Sequence, residues 1–291
     1  MAFEELDTAP LTAAVDPADV PARTARELGS DLGGWLVVNV LLWLVLGLVA
    51  VGLSFLPPRP WWAAAPAGLG AVVSLGLLVS ALRPRAEHRA RPVRLARFAA
   101  ANDMTYTPRP GQPAEGPGLV LGTGTGRHTR DLVEIAVPRE IQLGRQHYFA
   151  GRGNAEARAW SYATTPLTGP GAAGLPHLVL TARGRWNDAA LPGSSDSSLG
   201  TPGLSGPGAA AYLVRGPIGQ APWIERVLDV TLFRPDVLAR LTERPVHVEV
   251  VDRRLYLYVH GPLVTLDPDT WRWILPLVVD VATALEAAPV S

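Results

Sequence analysis

An uncharged run of 22 residues, Trp35 to Leu56, constrains this chain more than any other feature. It holds eight leucines, six valines and one phenylalanine. As a helix rising about 1.5 Å per residue, it covers the roughly 30 Å hydrocarbon core of a bilayer. The run stops at Pro57-Pro58-Arg59-Pro60, where three prolines remove backbone donors and fix φ. A second uncharged run, Trp61 to Leu82, is weaker and richer in Ala and Gly. Its small residues recur four apart, at Ala63, Ala67 and Ala71 and again at Gly70 and Ser74, a spacing that lets two helices approach closely in lipid. So short a link permits only an antiparallel hairpin, and residues 32–82 are expected to form two transmembrane helices.

Arginine placement sets the expected orientation. Residues 83–97 carry six arginines against the single acid Glu87, whereas the link between the runs carries one. The positive-inside rule then predicts a multi-pass protein of the plasma membrane with both termini cytoplasmic and Arg59 outside. The lipid bilayer is the first partner implied. Arg83, Arg85, Arg89, Arg91, Arg94 and Arg97 are expected to contact anionic lipid headgroups, each contributing about 1 kcal/mol near the surface. The Ala/Gly face of the second run marks a place for a membrane-protein partner. Pro84 and Pro92 argue against one continuous helix through the basic segment. A cleaved signal peptide ending near Ala63-Ala64-Ala65 is disfavoured, because the preceding region is long and acidic and the apolar core too long.

Outside the hairpin, residues 1–31 hold seven acids and two arginines without a sustained apolar period, and read as a disordered acidic tail. Residues 98–291 hold 17 arginines against 18 acids, so this part has no electrostatic footprint for nucleic acid. It reads as a cytosolic α+β domain, largely antiparallel, with helices gathered at its C-terminal end. Strand patterns cover Gly118 to Thr123, Asp131 to Val137, Ile141 to Ala150, Ala157 to Leu167 and Leu178 to Leu180. Residues 187–210, mostly Gly, Pro, Ser and Ala, read as a flexible insertion. Beyond it come a strand at Val227 to Leu232, a short helix at Pro235 to Leu241, and a hairpin of Val246 to Val251 with Leu255 to His260. The final helix is expected from Pro268 to Ala287, capped by Asp267 and kinked or split at Pro276, with Trp271, Ile274, Leu275, Val278, Val281, Ala282 and Leu285 on one face. Thirteen apolar-rich residues interrupted by Asp280 favour a core helix over a third span.

The chemistry this chain can perform is narrowed by what it lacks. Without cysteine it has no disulfide, thiolate nucleophile or cysteine-based metal site, and all 26 basic residues are arginine, which excludes the phosphate-loop lysine and Schiff-base catalysis. Gly122-Thr123-Gly124-Thr125-Gly126 is followed by a strand pattern rather than a helix, so it reads as a hairpin turn and not a nucleotide fingerprint. Asp267 and Asp269 are explained as cap and first-turn acid without a metal. Gly203-Leu204-Ser205-Gly206-Pro207 fails the nucleophile elbow at Pro207. The best constellation comes from register. With Arg253-Arg254 as a two-residue turn, Val246, Val248 and Val250 share an apolar face with Leu255, Leu257 and Val259. The opposite face pairs Val251 with Tyr256, Glu249 with Tyr258 and His247 with His260. Two imidazoles and a carboxylate on one face could hold a zinc or iron ion, but an ordinary polar outer face is the favoured reading, and two arginines make a poor tight turn. No catalytic residue, metal ligand or cofactor is assigned.

Arg97-Phe98-Ala99-Ala100-Ala101-Asn102 leading to Tyr106-Thr107-Pro108 forms one motif. Others are the aromatic pairs His147-Tyr148-Phe149 and Trp160-Ser161-Tyr162, the Leu175-Pro176-His177-Leu178-Val179-Leu180 run and the Arg234-Pro235-Asp236 helix start. In these, over about residues 35–291, the chain resembles a group of uncharacterised actinobacterial-type membrane proteins with two N-terminal helices, a basic stretch and a cytosolic domain of no assigned activity. The resemblance implies the same layout and carries over no catalytic residue. The expected function is a membrane-tethered binding or scaffold module at the inner leaflet. The alternatives are a metal-dependent hydrolase built on His247, Glu249 and His260, and an accessory subunit of a transporter or envelope complex.

Overall fold

The computed structural model describes residues 3–20, 89–151, 156–183, 191–193, 199–201 and 206–289. The expected hairpin, residues 32–82, lies outside the described residues, as do Arg83 and Arg85. Among the described residues no helix is long and apolar enough to cross a membrane. The chain divides into two compact units, one of Met1–Ala13 with Leu95–Ser291 and one of Ala14–Arg94. The described parts of the second are residues 14–20, with a 3-10 turn at Pro17–Asp19, and residues 89–94, which are helical.

Among the described residues, nine strands build the first unit: β1 (Met104–Thr107), β2 (Thr125–Ile135), β3 (Ile141–Ala150), β4 (Glu156–Pro166), β5 (Leu178–Ala182), β6 (Leu199–Gly200), β7 (Tyr212–Pro217), β8 (His247–Val251) and β9 (Arg254–Val259). They join in one sheet of order β1-β2-β3-β4-β9-β8-β5-β7-β6, antiparallel at every pairing. The helices are α1 (Ala9–Thr12), α2 (residues 89–101), α3 (Leu119–Gly122), α4 (Gly206–Ala211), α5 (Ala221–Val230), α6 (Pro235–Glu243) and α7 (Pro268–Glu286). The fold is α+β, as the strand-rich first half and helical end of the domain predict.

Because side chains alternate across a strand, the sheet feeds two separate apolar clusters. One face supplies Leu143, Ala163, Leu180, Val248, Val250, Leu255 and Leu257, which pack with Leu95 and Phe98 of α2 and with the apolar face of α7. The other supplies Tyr148, Trp160, Tyr162, Val179, Tyr256 and Tyr258, covered by Val120 and Leu121 of α3 and by Leu191 and Leu199. The α7 residues expected on one face are all buried, so the helix is a core element. Asp267 caps it by accepting the Asp269 N–H at 3.1 Å, and the Thr270 hydroxyl donates to the same carboxylate at 2.7 Å. Of the kink or split expected at Pro276, the split does not occur: the helix continues through it. One missing donor does not outweigh the burial of both flanking turns.

Several expectations are corrected by packing. The tail read as disordered is folded over residues 3–13. Leu11 is buried in the first cluster, Phe3–Glu5 touches α7, and the Asn102 amide clamps the Asp7 backbone by accepting its N–H at 2.9 Å and donating to its carbonyl at 3.0 Å. Residues 89–101 are helical across Pro92, since Leu95, Phe98 and Ala99 bury their side of the helix. The expected strand at Gly118 to Thr123 is instead α3, a single helical turn in which the Leu121 and Gly122 N–H groups donate to the Gly118 carbonyl at 3.0 and 3.1 Å. The glycine run after it is therefore not a hairpin turn but the entry from α3 into β2. At Gly124, φ is +77° and a Cβ would stand 2.4 Å from the Tyr148 ring. The expected strand at Val227 to Leu232 is the end of α5, because Ile224, Val227 and Leu228 are buried at helical spacing behind Pro222 in the first turn. The described parts of the 187–210 insertion are structured: Leu191 is buried, Leu199–Gly200 pairs with β7, and α4 begins at Gly206. Strands β1 and β7 were not anticipated.

Candidate functional site at Glu249

The β8–β9 hairpin turns through Asp252 and Arg253, with φ of +48° and +57°, one residue earlier than Arg253-Arg254. Two successive left-handed residues define the turn that matches strand twist, and aspartate tolerates that conformation. Pairing moves with it: Glu249 stands opposite Tyr256, and His247 opposite Tyr258. The partner shifts by two residues, which leaves each residue on its expected face. His247, Glu249, Tyr256, Tyr258 and His260 therefore share the face covered by α3.

On that face Glu249 is fully buried. Its Oε2 accepts the Leu119 N–H at 2.8 Å and the Tyr258 hydroxyl at 2.7 Å, and its Oε1 meets His177 Nε2 at 2.8 Å. Burial, and then the Glu249 charge, push the Tyr258 phenol well above its ordinary pKa, so it stays protonated and donates. The Tyr256 ring stacks on Tyr258 with centroids 5.9 Å apart. Gly118 passes so close that a Cβ there would lie 2.4 Å from the Tyr258 hydroxyl oxygen. Three donors from three distant parts of the chain thus converge on one carboxylate and hold the α3 cover to the sheet.

His177 precedes β5, and the pairing of Val179 with Glu249 brings it diagonally beside the carboxylate. Its side chain is 31% exposed. A carboxylate that orients an imidazole is half of a hydrolytic triad. Among the described residues Glu249 is the only hydrogen-bond partner of this ring. Sequence reasoning missed His177, because 72 residues separate it from Glu249 and only the β5–β8 pairing joins them.

The trio of the alternative reading, His247, Glu249 and His260, does not converge. His247 lies edge-on to Trp160 at 5.4 Å, His260 lies 5.1 Å from the same indole, and Glu249 is committed elsewhere. Among the described residues no group of three histidine or acidic side chains is arranged to hold a metal ion. Of the arginines expected at lipid headgroups, Arg89, Arg91, Arg94 and Arg97 all sit on α2, with Arg97 exposed and the other three half-buried.

Burial, and secondarily the charge of His260, lower the His247 pKa to about 4. The unfolded chain, with its histidine near 6.5, then binds more protons between pH 6.5 and 4, and stability must fall as the pH drops through that window. The wild-type chain should lose about 2 kcal/mol from this residue between pH 7 and 5. In His247→Phe, denaturant melts across the same range should give a correspondingly shallower decline; parallel curves would remove His247 as the cause. No protein family, curated protein or solved structure matches this chain.

Proposed function

We propose that this chain is an integral membrane protein of the plasma membrane whose α+β domain acts as a binding or scaffold module at the cytosolic face. The observation that carries the reading is the shared fold of the chain's two ends. Residues from Met1–Ala13 and Leu95–Ser291 form one unit, so the stretch between them leaves that unit and comes back to it. A domain built from both ends of such an excursion lies on one side of a bilayer, and the number of crossings is even. Two uncharged runs of membrane length meet that requirement. The arginine excess of residues 83–97 then selects the cytosolic side, and Arg83, Arg85, Arg89, Arg91, Arg94 and Arg97 are the residues assigned to anionic headgroups. A binding role is favoured over catalysis because the buried carboxylate is occupied by three donors from the fold itself. Metal-dependent hydrolysis is the weaker reading, since His247 and His260 both pack on Trp160 while Glu249 is held by Leu119, Tyr258 and His177.

Protease added to intact cells should leave residues 95–291 intact, while the same protease after permeabilisation should degrade the chain outside the folded unit. The chain should also stay with membranes after alkaline extraction. Digestion of the domain in intact cells, or its release by alkali, overturns the reading.

A further inference from the structure

On the sheet face that elsewhere carries the helices, one stretch of β2 and β3 is laid out differently. His128 stands directly opposite His147, and Arg130 directly opposite Arg145. The two imidazoles stack at 5.0 Å with planes 10° apart. Like charges facing each other across a ladder repel and destabilise the pair. Neither guanidinium has an acidic partner among the described residues: Arg130 is exposed, and the buried Nε of Arg145 has no hydrogen-bond partner.

The site is exposed at His128 and Arg130 and half-buried at Arg145 and His147. On β4 the residues facing His147 and Phe149 are Ala159 and Ala157, which rise little above the backbone, and Ser161 beside Arg145 accepts the Leu263 N–H. The nearest acid, Asp131, accepts the Tyr106 hydroxyl at 2.7 Å and offsets part of the local field. That field is still positive, since after burial the charges of Arg130, Arg145 and His128 hold the His147 pKa down at about 4. A cross-strand repulsion of this kind is relieved by an anion placed between the forks, and planar guanidinium matches phosphate oxygens two at a time.

We propose that Arg130 and Arg145, flanked by the His128–His147 pair, form a phosphate-recognition site that takes a phosphate group carried by a lipid headgroup or by a small soluble ligand. The site stands on β2 and β3 alone and does not depend on the membrane reading.

The test uses the full chain in neutral phosphatidylcholine nanodiscs, titrated calorimetrically with two probes: inorganic phosphate and water-soluble dihexanoyl phosphatidic acid. At least one should bind. Binding should weaken about tenfold in R130Q/R145Q and stay unchanged in R158Q, whose arginine lies on the opposite face beside Glu156. Binding of inorganic phosphate identifies a soluble ligand's phosphate as sufficient, whereas binding of the lipid probe alone identifies a headgroup. Removing the facing charges should leave the melting temperature unchanged or raised. If the double variant fails to fold, R130Q, at an exposed position, decides with an expected loss of about threefold. The proposal is overturned if neither probe binds the wild-type chain, if the arginine variants bind as it does, or if R158Q weakens binding equally.

Discussion

Glu249→Ala is expected to lower the unfolding free energy by about 3–5 kcal/mol, the usual cost of removing one member of a buried charged network. The Leu119 N–H and the Tyr258 hydroxyl are both inside the protein and would be left without an acceptor, at about 1–3 kcal/mol each. His177, at 31% exposure, turns to water and contributes little. Glu249→Gln keeps one acceptor oxygen and should lose about half as much. The network also predicts a departure from additivity. In Glu249→Leu with Tyr258→Phe, the phenol donor disappears together with its acceptor, so the double variant should be more stable than the sum of the single changes. Denaturant titration of all four proteins measures this, and a loss under about 1 kcal/mol in Glu249→Ala would mean that the α3 cover is not held by this carboxylate.

Trp271→Ala should be comparably severe, at about 3–5 kcal/mol. The indole is fully buried, donates to the Thr265 carbonyl at 2.9 Å and lies 4.7 Å from the Phe98 ring. Its loss opens a void where α2, α7 and the sheet meet, and backbone elements pinned on three sides collapse poorly into such a space. Trp271→Phe keeps the ring contact and abandons only the hydrogen bond, so it should recover most of the stability. Equal losses in the two variants would place the energy in the hydrogen bond rather than the packing.

Legibility in the sequence followed locality. Strands β3 and β4 and the β8–β9 hairpin were readable because alternation is written into consecutive residues. Helix α7 was readable because Asp267 announces its start and its apolar residues keep helical spacing. The hairpin faces survived an error in the turn, since the displacement was even. Short apolar runs defeated the same reasoning at α3 and at the end of α5, where a few residues fit either period and burial from outside decides. The docking of residues 3–13 was invisible for another reason. It depends on one leucine and on hydrogen bonds between residues 95 apart in the chain. Likewise Glu249 was singled out from the sequence, but His177 and Leu119 reach it only through pairings that no local pattern records.

The clasp between the chain's ends has a consequence for biosynthesis. Thr8 accepts a hydrogen bond from Arg272, 264 residues later, so this segment is synthesised long before the helix that seats it. A bulky fusion ahead of Met1 should therefore delay or block maturation more than one appended after Ser291. Residues 3–13 and α7 also have to share one compartment, because a bilayer between them would keep the segment from the helix that receives it.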